Sequence, residues 1–154
     1  MKDTSGKRRP AFRLSNRQRK TALDCAAVKK ALEICPEFFE SPPSHIEITI
    51  VGARKIRELN RRFLNKNAPT DVMSFRISKD SGEIIISAET AAKNGKIYGL
   101  TAECEIIYLI VHGYLHLKNY RDYTEAEKRE MFAEQDKMFD RIIKKSGGVS
   151  YGRR

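Results

Sequence analysis

Cysteine, histidine and long apolar runs are all scarce in this chain of 154 residues, and each scarcity removes a class of protein. The three cysteines, Cys25, Cys35 and Cys104, are odd in number and show no short paired spacing. That pattern argues against both a disulfide framework and a thiolate zinc site, so they read as reduced and mostly buried thiols. Apolar runs such as Ile106 to Val111 fall far short of a membrane span. The opening segment MKDTSGKRRP has none of the apolar stretch of a secretory signal, which makes the cytoplasm the expected location. No internal repeat is present, and 154 residues with 40% hydrophobic content suit one domain with one core.

Acidic residues are scarce at both ends. Residues 1–20 carry eight Lys or Arg against Asp3, and residues 141–154 carry five against none, so most of the net charge of +10 sits outside the middle of the chain. The sequence thus divides into a basic N-terminal arm (1–10), a folded domain (11–145) and a basic C-terminal tail (146–154). Such arms are either solvated tails or grips on an RNA backbone. A second basic patch, Arg54, Lys55, Arg57, Arg61, Arg62 and Lys66 against Glu58, falls on a predicted helix, where it can track phosphates.

Periodicity supplies the elements. Ala11 to Leu14 predicts a short strand, with Ser15 and Asn16 as a turn. Leu23, Ala27, Ala31 and Ile34 predict a first helix from about Arg17 that stops before Pro36. After the loop Ser41-Pro42-Pro43-Ser44, alternation of Ile46, Ile48 and Ile50 predicts a strand, and Ile56, Leu59 and Phe63 a helix. A strand, a helix and a further strand make a crossover, so part of the sheet is expected to be parallel. Asp71 to Ile77 then leads through Lys79-Asp80-Ser81-Gly82 into Glu83 to Ser87, a hairpin with Gly82 where positive φ is wanted. Ser87 caps a short helix expected to end at Gly95. Thr101 opens another whose run through Ile106, Ile107, Leu109, Ile110 and Val111 is apolar nearly all round, as in a buried helix. Thr124 with Glu127 forms a capping box for the last helix, whose Met131, Met138, Phe139 and Ile142 read as core. The predicted fold is α+β, a single domain with a mixed four-stranded sheet packed against about five helices.

Two of the three histidines fall in VHGYLHLKNYRD, residues 111–122. His112 and His116 are four apart, so on a helix their rings share one face and can hold one metal ion. Asp122 follows six residues later, the interval at which metzincins place a third ligand after a turn. The turn position is Asn119, the residue after glycine that most readily takes left-handed angles. These intervals describe a zincin-like metal helix with three ligands, His112, His116 and Asp122. The remaining histidine, His45, opens a strand with no ligand-type partner in sequence and reads as structural.

Two blocks resemble one known family. ELNRRFLNKNAPTDVMSF (58–75), followed by GEIIIS (82–87), is similar to the leucine-asparagine helix and Thr-Asp-Val-Leu-Ser-Phe strand of the YbeY-type endoribonucleases, bacterial metal-dependent enzymes of ribosomal RNA maturation. HGYLHLKNY with Asp122 resembles their His-Gly-x-Leu-His-Leu-x-Gly-Tyr-Asp-His zinc motif. With Ser15-Asn16-Arg17 and Met131-Phe132, the resemblance covers nearly all of residues 11–143. The departures are specific: Asp122 stands at the family's third histidine, Arg121 at its aspartate, Asn119 at its turn glycine and Leu64 at its arginine.

The resemblance implies a single-strand-specific endoribonuclease acting on ribosomal RNA with the small ribosomal subunit as partner. It also implies one Zn2+, or another divalent ion such as manganese because Asp122 is a harder ligand than histidine. Arg61, Arg62, Lys66 and Arg76 are the stand-ins for the family arginine. Arg62, Lys66 and Asp71 are the catalytic candidates, Ser74 a further candidate to orient ligands, and Arg54, Lys55, Arg61, Arg62, Lys66 and Arg76 the RNA contacts. Two rivals stand beside this reading. One is a cytosolic zincin peptidase, against which Gly113 counts because protease zincins place Glu directly after the first histidine. The other is a metal-stabilised, catalytically weak RNA-binding module, which Leu64 and Asp122 leave open.

Overall fold

The computed structural model describes residues 12–35, 41 and 43–147; the basic arm 1–10, Ala11, residues 36–40, Pro42 and residues 148–154 of the tail lie outside them. The elements run β1 (Phe12–Asn16), α1 (Cys25–Glu33), β2 (His45–Val51), α2 (Ala53–Leu64), β3 (Val72–Ser78), β4 (Ser81–Ser87), α3 (Ala88–Tyr98), α4 (Ala102–Leu117) and α5 (Glu125–Lys145). The strands form one mixed sheet in the order β1-β2-β4-β3. β1 and β2 are parallel, as are β2 and β4, while β3 runs antiparallel to β4 with Val72 opposite Ile86 and Ser74 opposite Ile84.

Local chemistry accounts for where the elements fall, and in three places it moves an expected boundary. Ser15 and Asn16 pair with Thr49 and Ile50 and so extend β1, instead of turning the chain. The turn comes just after, where Asn16 Oδ1 accepts from the Gln18 amide at 3.2 Å, and Gln18 and Thr21 close a small loop through two reciprocal hydrogen bonds. That loop delays α1 until Asp24, whose carboxylate caps it by accepting from Ala27 N at 3.1 Å. The connection from β2 through α2 lands on β3 at the sheet edge, where β3 runs opposite to β2 and so makes no parallel crossover; the hairpin then inserts β4 between them, and the parallel pairs are β1-β2 and β2-β4. Finally, α3 runs past Gly95 and stops at Gly99, whose φ of 71° is the left-handed C-cap.

Gly95 and Gly82 are therefore not turn glycines; they permit close approach. A Cβ on Gly95 would lie 2.8 Å from the Leu100 carbonyl oxygen, and one on Gly82 only 2.7 Å from Leu117 Cδ1. At Gly113 a Cβ would lie 3.0 Å from Ile84 Cγ2. α4 thus lies directly against β4, with Leu117 over Gly82 and Gly113 over Ile84.

Strand alternation gives the sheet two unlike faces. Phe12, Ile46, Ile48, Ile50, Ile84 and Ile86 point to the main core, filled from the other side by α1, α3, α4 and α5. Each isoleucine so buried contributes about 1.5–3 kcal/mol of transfer free energy. Val51, Met73 and Ile85 point the opposite way, into a smaller cluster closed by Ile56 of α2 with Leu59 and Phe75 against it. α4 and α2 therefore occupy opposite faces of the sheet. The main core is thick enough to enclose α4 almost wholly, with twelve of its sixteen residues buried.

Gly95→Ala should lower stability by about 1–3 kcal/mol, because the added methyl meets a backbone carbonyl instead of a movable side chain. Urea unfolding checks this against Asn94→Ala on the same helix, and equal midpoints for the two variants would show that the contact can be relieved.

Candidate metal centre

The site lies where α4 ends. His112 and His116 occupy successive turns of its last stretch, and their Nε2 atoms stand 3.1 Å apart with ring planes at 82°. Beyond Leu117 the chain reverses at Asn119, whose φ of 71° is left-handed, and Tyr120 N closes the helix by donating to Leu115 O at 3.0 Å. The reversal carries Asp122 back over the helix, with Oδ2 3.6 Å from His116 Nε2. One ligand atom from each of the three residues lies within 4.8 Å of the other two. The capping box at the head of α5 fixes the far end of this loop: Thr124 Oγ1 accepts from Glu127 N, and Glu127 Oε2 accepts from Thr124 N, each at 3.1 Å.

Hydrogen bonding dictates how the two rings present themselves. Gln135 of α5 is buried, and its amide donates to Tyr108 O at 3.2 Å, which turns Oε1 toward His112 Nδ1 at 3.0 Å. An amide oxygen only accepts, so Nδ1 of His112 carries the proton and Nε2 presents its lone pair. The same reasoning applies to His116, whose Nδ1 faces the Tyr120 carbonyl at 3.2 Å. Two lone pairs and a carboxylate oxygen are thereby aimed at one point, an arrangement that is repulsive until a cation lies between them. The donor set fits one divalent ion, with three protein ligands leaving coordination positions open.

Burial pushes the His112 pKa down; the Gln135 hydrogen bond opposes this, His116 adds to it, and the charges of Asp71 and Asp122 pull it back up. Asp71 therefore stands close enough for its charge to reach His112. Its backbone oxygen is fixed by Ser87 N at 2.9 Å, and the loop before it is tied down by buried Asn60 of α2, which donates to Ala68 O at 3.0 Å.

The basic candidates are placed differently. Arg54, Lys55, Arg61 and Arg62 ride on α2 and Lys66 just beyond it, and none has a contact to His112, His116 or Asp122 among the described residues. Lys55 pairs with Glu58 at 3.8 Å, and the Arg62 guanidinium lies 5.6 Å over the Phe63 ring. Leu64 is 51% exposed. Arg76 belongs to β3 and donates through Nη1 to Lys79 O at 3.1 Å and through Nη2 to Leu117 O, so it tethers the C-terminal end of the metal helix to the hairpin. His45 pairs at the surface with Asp80, Nε2 to Oδ2 at 3.5 Å. An open groove of about 1340 Å³ lies on the α2 side of the sheet and includes none of the three ligands. Its size does not make it the reactive centre, because the converging donors are elsewhere.

Gln135 is the site residue that sequence reasoning missed. A signal existed: it lies four residues after Met131 and four before Phe139, a polar side chain on an apolar stripe.

The family model described as Endoribonuclease YbeY matches residues 13–143. The Endoribonuclease YbeY of Geobacter metallireducens is 31% identical over 147 residues, covering 88% of this chain and 97% of its own. That of Persephonella marina is 36% identical over 124 residues, covering 75% and 81%. A solution structure of a Thermotoga maritima protein matches with a TM-score of 0.64 at 24% identity, over 93% of this chain and 99% of that one, a likeness of fold.

Metal affinity measured by competition with a chelator should fall about 10- to 100-fold in Gln135→Leu and stay near wild type in Gln135→Glu, which keeps an acceptor for Nδ1. In the same series Asp122→Ala should lose most bound metal and Asp122→His retain it; unchanged loading in the alanine variant would remove Asp122 from the site. A pH dependence follows from His112. Its folded pKa is below the ordinary 6.5, so the unfolded chain takes up a proton first as pH falls. The metal-free protein should therefore lose stability as pH drops below about 6.5 and regain it above, with a shallower slope in His112→Gln. Urea midpoints between about pH 5.5 and about 7.5 report it.

Proposed function

The chain belongs to the YbeY endoribonuclease family, and from that premise we propose that it is a single-strand-specific, metal-dependent endoribonuclease of ribosomal RNA maturation. The observation that carries the reading is the convergence of His112 Nε2, His116 Nε2 and the Asp122 carboxylate on one point that leaves coordination positions open. Zn2+ suits two imidazoles and a carboxylate at tetrahedral geometry, and the hard oxygen of Asp122 widens the choice to manganese. When bound, the ion supplies Lewis acidity and an activated water for attack on a phosphodiester.

The residues of the chain do the rest. Gln135 and the Tyr120 carbonyl hold both rings in the ligating tautomer, and burial keeps His112 neutral. Asp71, whose charge reaches His112, is the acidic group we assign to proton handling beside the ligands. Arg62 and Lys66 are the cations we assign to the phosphate, with Arg54, Lys55, Arg61 and Arg76 as further RNA contacts. α2 lies across the sheet from α4, and β3 is the edge strand between them, so a strand of RNA gripped by both passes that edge. Ribosomal RNA on the small ribosomal subunit is the proposed substrate, and the cytoplasm the proposed location.

A peptidase reading loses support at Gly113. A Cβ there would lie 3.0 Å from Ile84 Cγ2, so the glutamate of protease zincins would have to push the Ile84 side chain aside. Metal-loaded protein should cut RNA carrying single-stranded regions and leave casein whole, while His112→Ala cuts neither. Casein hydrolysis without RNA cleavage would establish the peptidase instead, and RNA binding without cleavage would leave a binding module.

A further inference from the structure

Phe132 is an aromatic ring that the core leaves outside. On α5 the residues Met131, Met138, Phe139 and Ile142 are buried, whereas Phe132, one position past Met131, is turned off that stripe and remains 41% exposed. Its location is not remote. The ring centroid lies 6.2 Å from that of His112, with the two planes tilted by only 34°. Phe132 and Gln135 are three apart on one helix and so share a side of it, Gln135 gripping His112 from within the core and Phe132 flanking it at the rim. The ring is thus held in register with the metal ligand by the same helix that orients that ligand.

We infer that Phe132 is the stacking platform for one unpaired nucleobase of the RNA strand being cut, an inference that rests on the ribonuclease reading above. A metal centre by itself recognises phosphate, which single strands and duplexes carry alike. A phenyl face adds what phosphate lacks: every nucleobase can stack on it, but only when the base is not already paired and stacked in a helix. Local charge alone gives the strand a weak grip. Asp71 and Asp122 act on His112 and Glu130 and Glu134 on Tyr120, while Lys118 and Arg121 line a small depression beside Tyr120, so charge of both signs surrounds the ligands. Stacking supplies affinity there without requiring positive charge.

The chain contains no tryptophan, so Phe132→Trp creates a single reporter at the platform. Stopped-flow fluorescence of the metal-loaded variant, read before cleavage, should show quenching by a short single-stranded oligouridylate. An abasic strand of equal length and an RNA duplex should leave it unquenched. Tyr98→Trp on α3 is the matched control, 39% exposed in the parent, and should respond to none of the three. In steady-state cleavage, Phe132→Ala should raise KM for single-stranded RNA roughly 5- to 100-fold, with kcat and metal content near wild type. Phe132→Tyr, which keeps the ring, should restore KM. Equal quenching by abasic strand or duplex, or an unchanged KM in Phe132→Ala with cleavage intact, overturns the platform and leaves the ribonuclease reading standing. Absence of RNA cleavage by the wild-type chain would overturn both.

Discussion

Two imidazole nitrogens 3.1 Å apart, each with its proton committed to the other side of the ring, cannot both face one another comfortably unless a positive charge lies between them. Most of the surrounding architecture serves to impose that confrontation. α4 is enclosed in apolar core, so its rotation about its own axis is fixed by packing, and the close contacts at Gly82 and Gly113 fix its height above β4. With the helix so constrained, the four-residue spacing of the histidines becomes a fixed distance between ligand atoms. The left-handed turn at Asn119 and the capping box of α5 then deliver Asp122 from both ends of a short loop.

The sheet separates two chemistries. On one face is the buried helix with its ligands; on the other are α2, its cations and an open groove. β3 lies at the edge between them, and Arg76 on that strand reaches the carbonyl end of α4. On the function proposed above, an RNA strand that used both faces would cross this edge near Asp71, just ahead of β3. Leu64 is exposed on the α2 side, and the phosphate contacts proposed above are assigned to the cations beside it.

One buried polar side chain and one exposed apolar ring flank His112. Gln135 is buried among apolar neighbours of α5 and costs little because each end of its amide is satisfied, one by Tyr108 O and one by His112. Phe132 is the converse, an apolar ring kept partly in water beside the same histidine. Departures from a purely stabilising arrangement are expected where a fold has to hold and use a ligand.

The histidine pair, the turn at Asn119, the capping box at Thr124 and the all-round apolar character of α4 were legible in the sequence because each is a local pattern, set by spacing along one helix or by the preference of one residue type. The mixed sheet followed from the order of strands and helices. Other features were not legible in this way. Gly82 and Gly95 look like turn glycines until the structure shows what a Cβ would strike, and α1 starts late because Gln18 and Thr21 close a loop ahead of it. Gln135 meets His112 across 23 residues of chain, and α2 reaches the far face of the sheet through which side of β4 and β3 it packs upon. Sequence by itself determined which side chains are able to ligate and roughly how they are spaced. Tertiary structure alone decided which nitrogen of each ring faces the other candidate ligands and which cations share that face of the sheet, because those depend on contacts between segments that no local periodicity records.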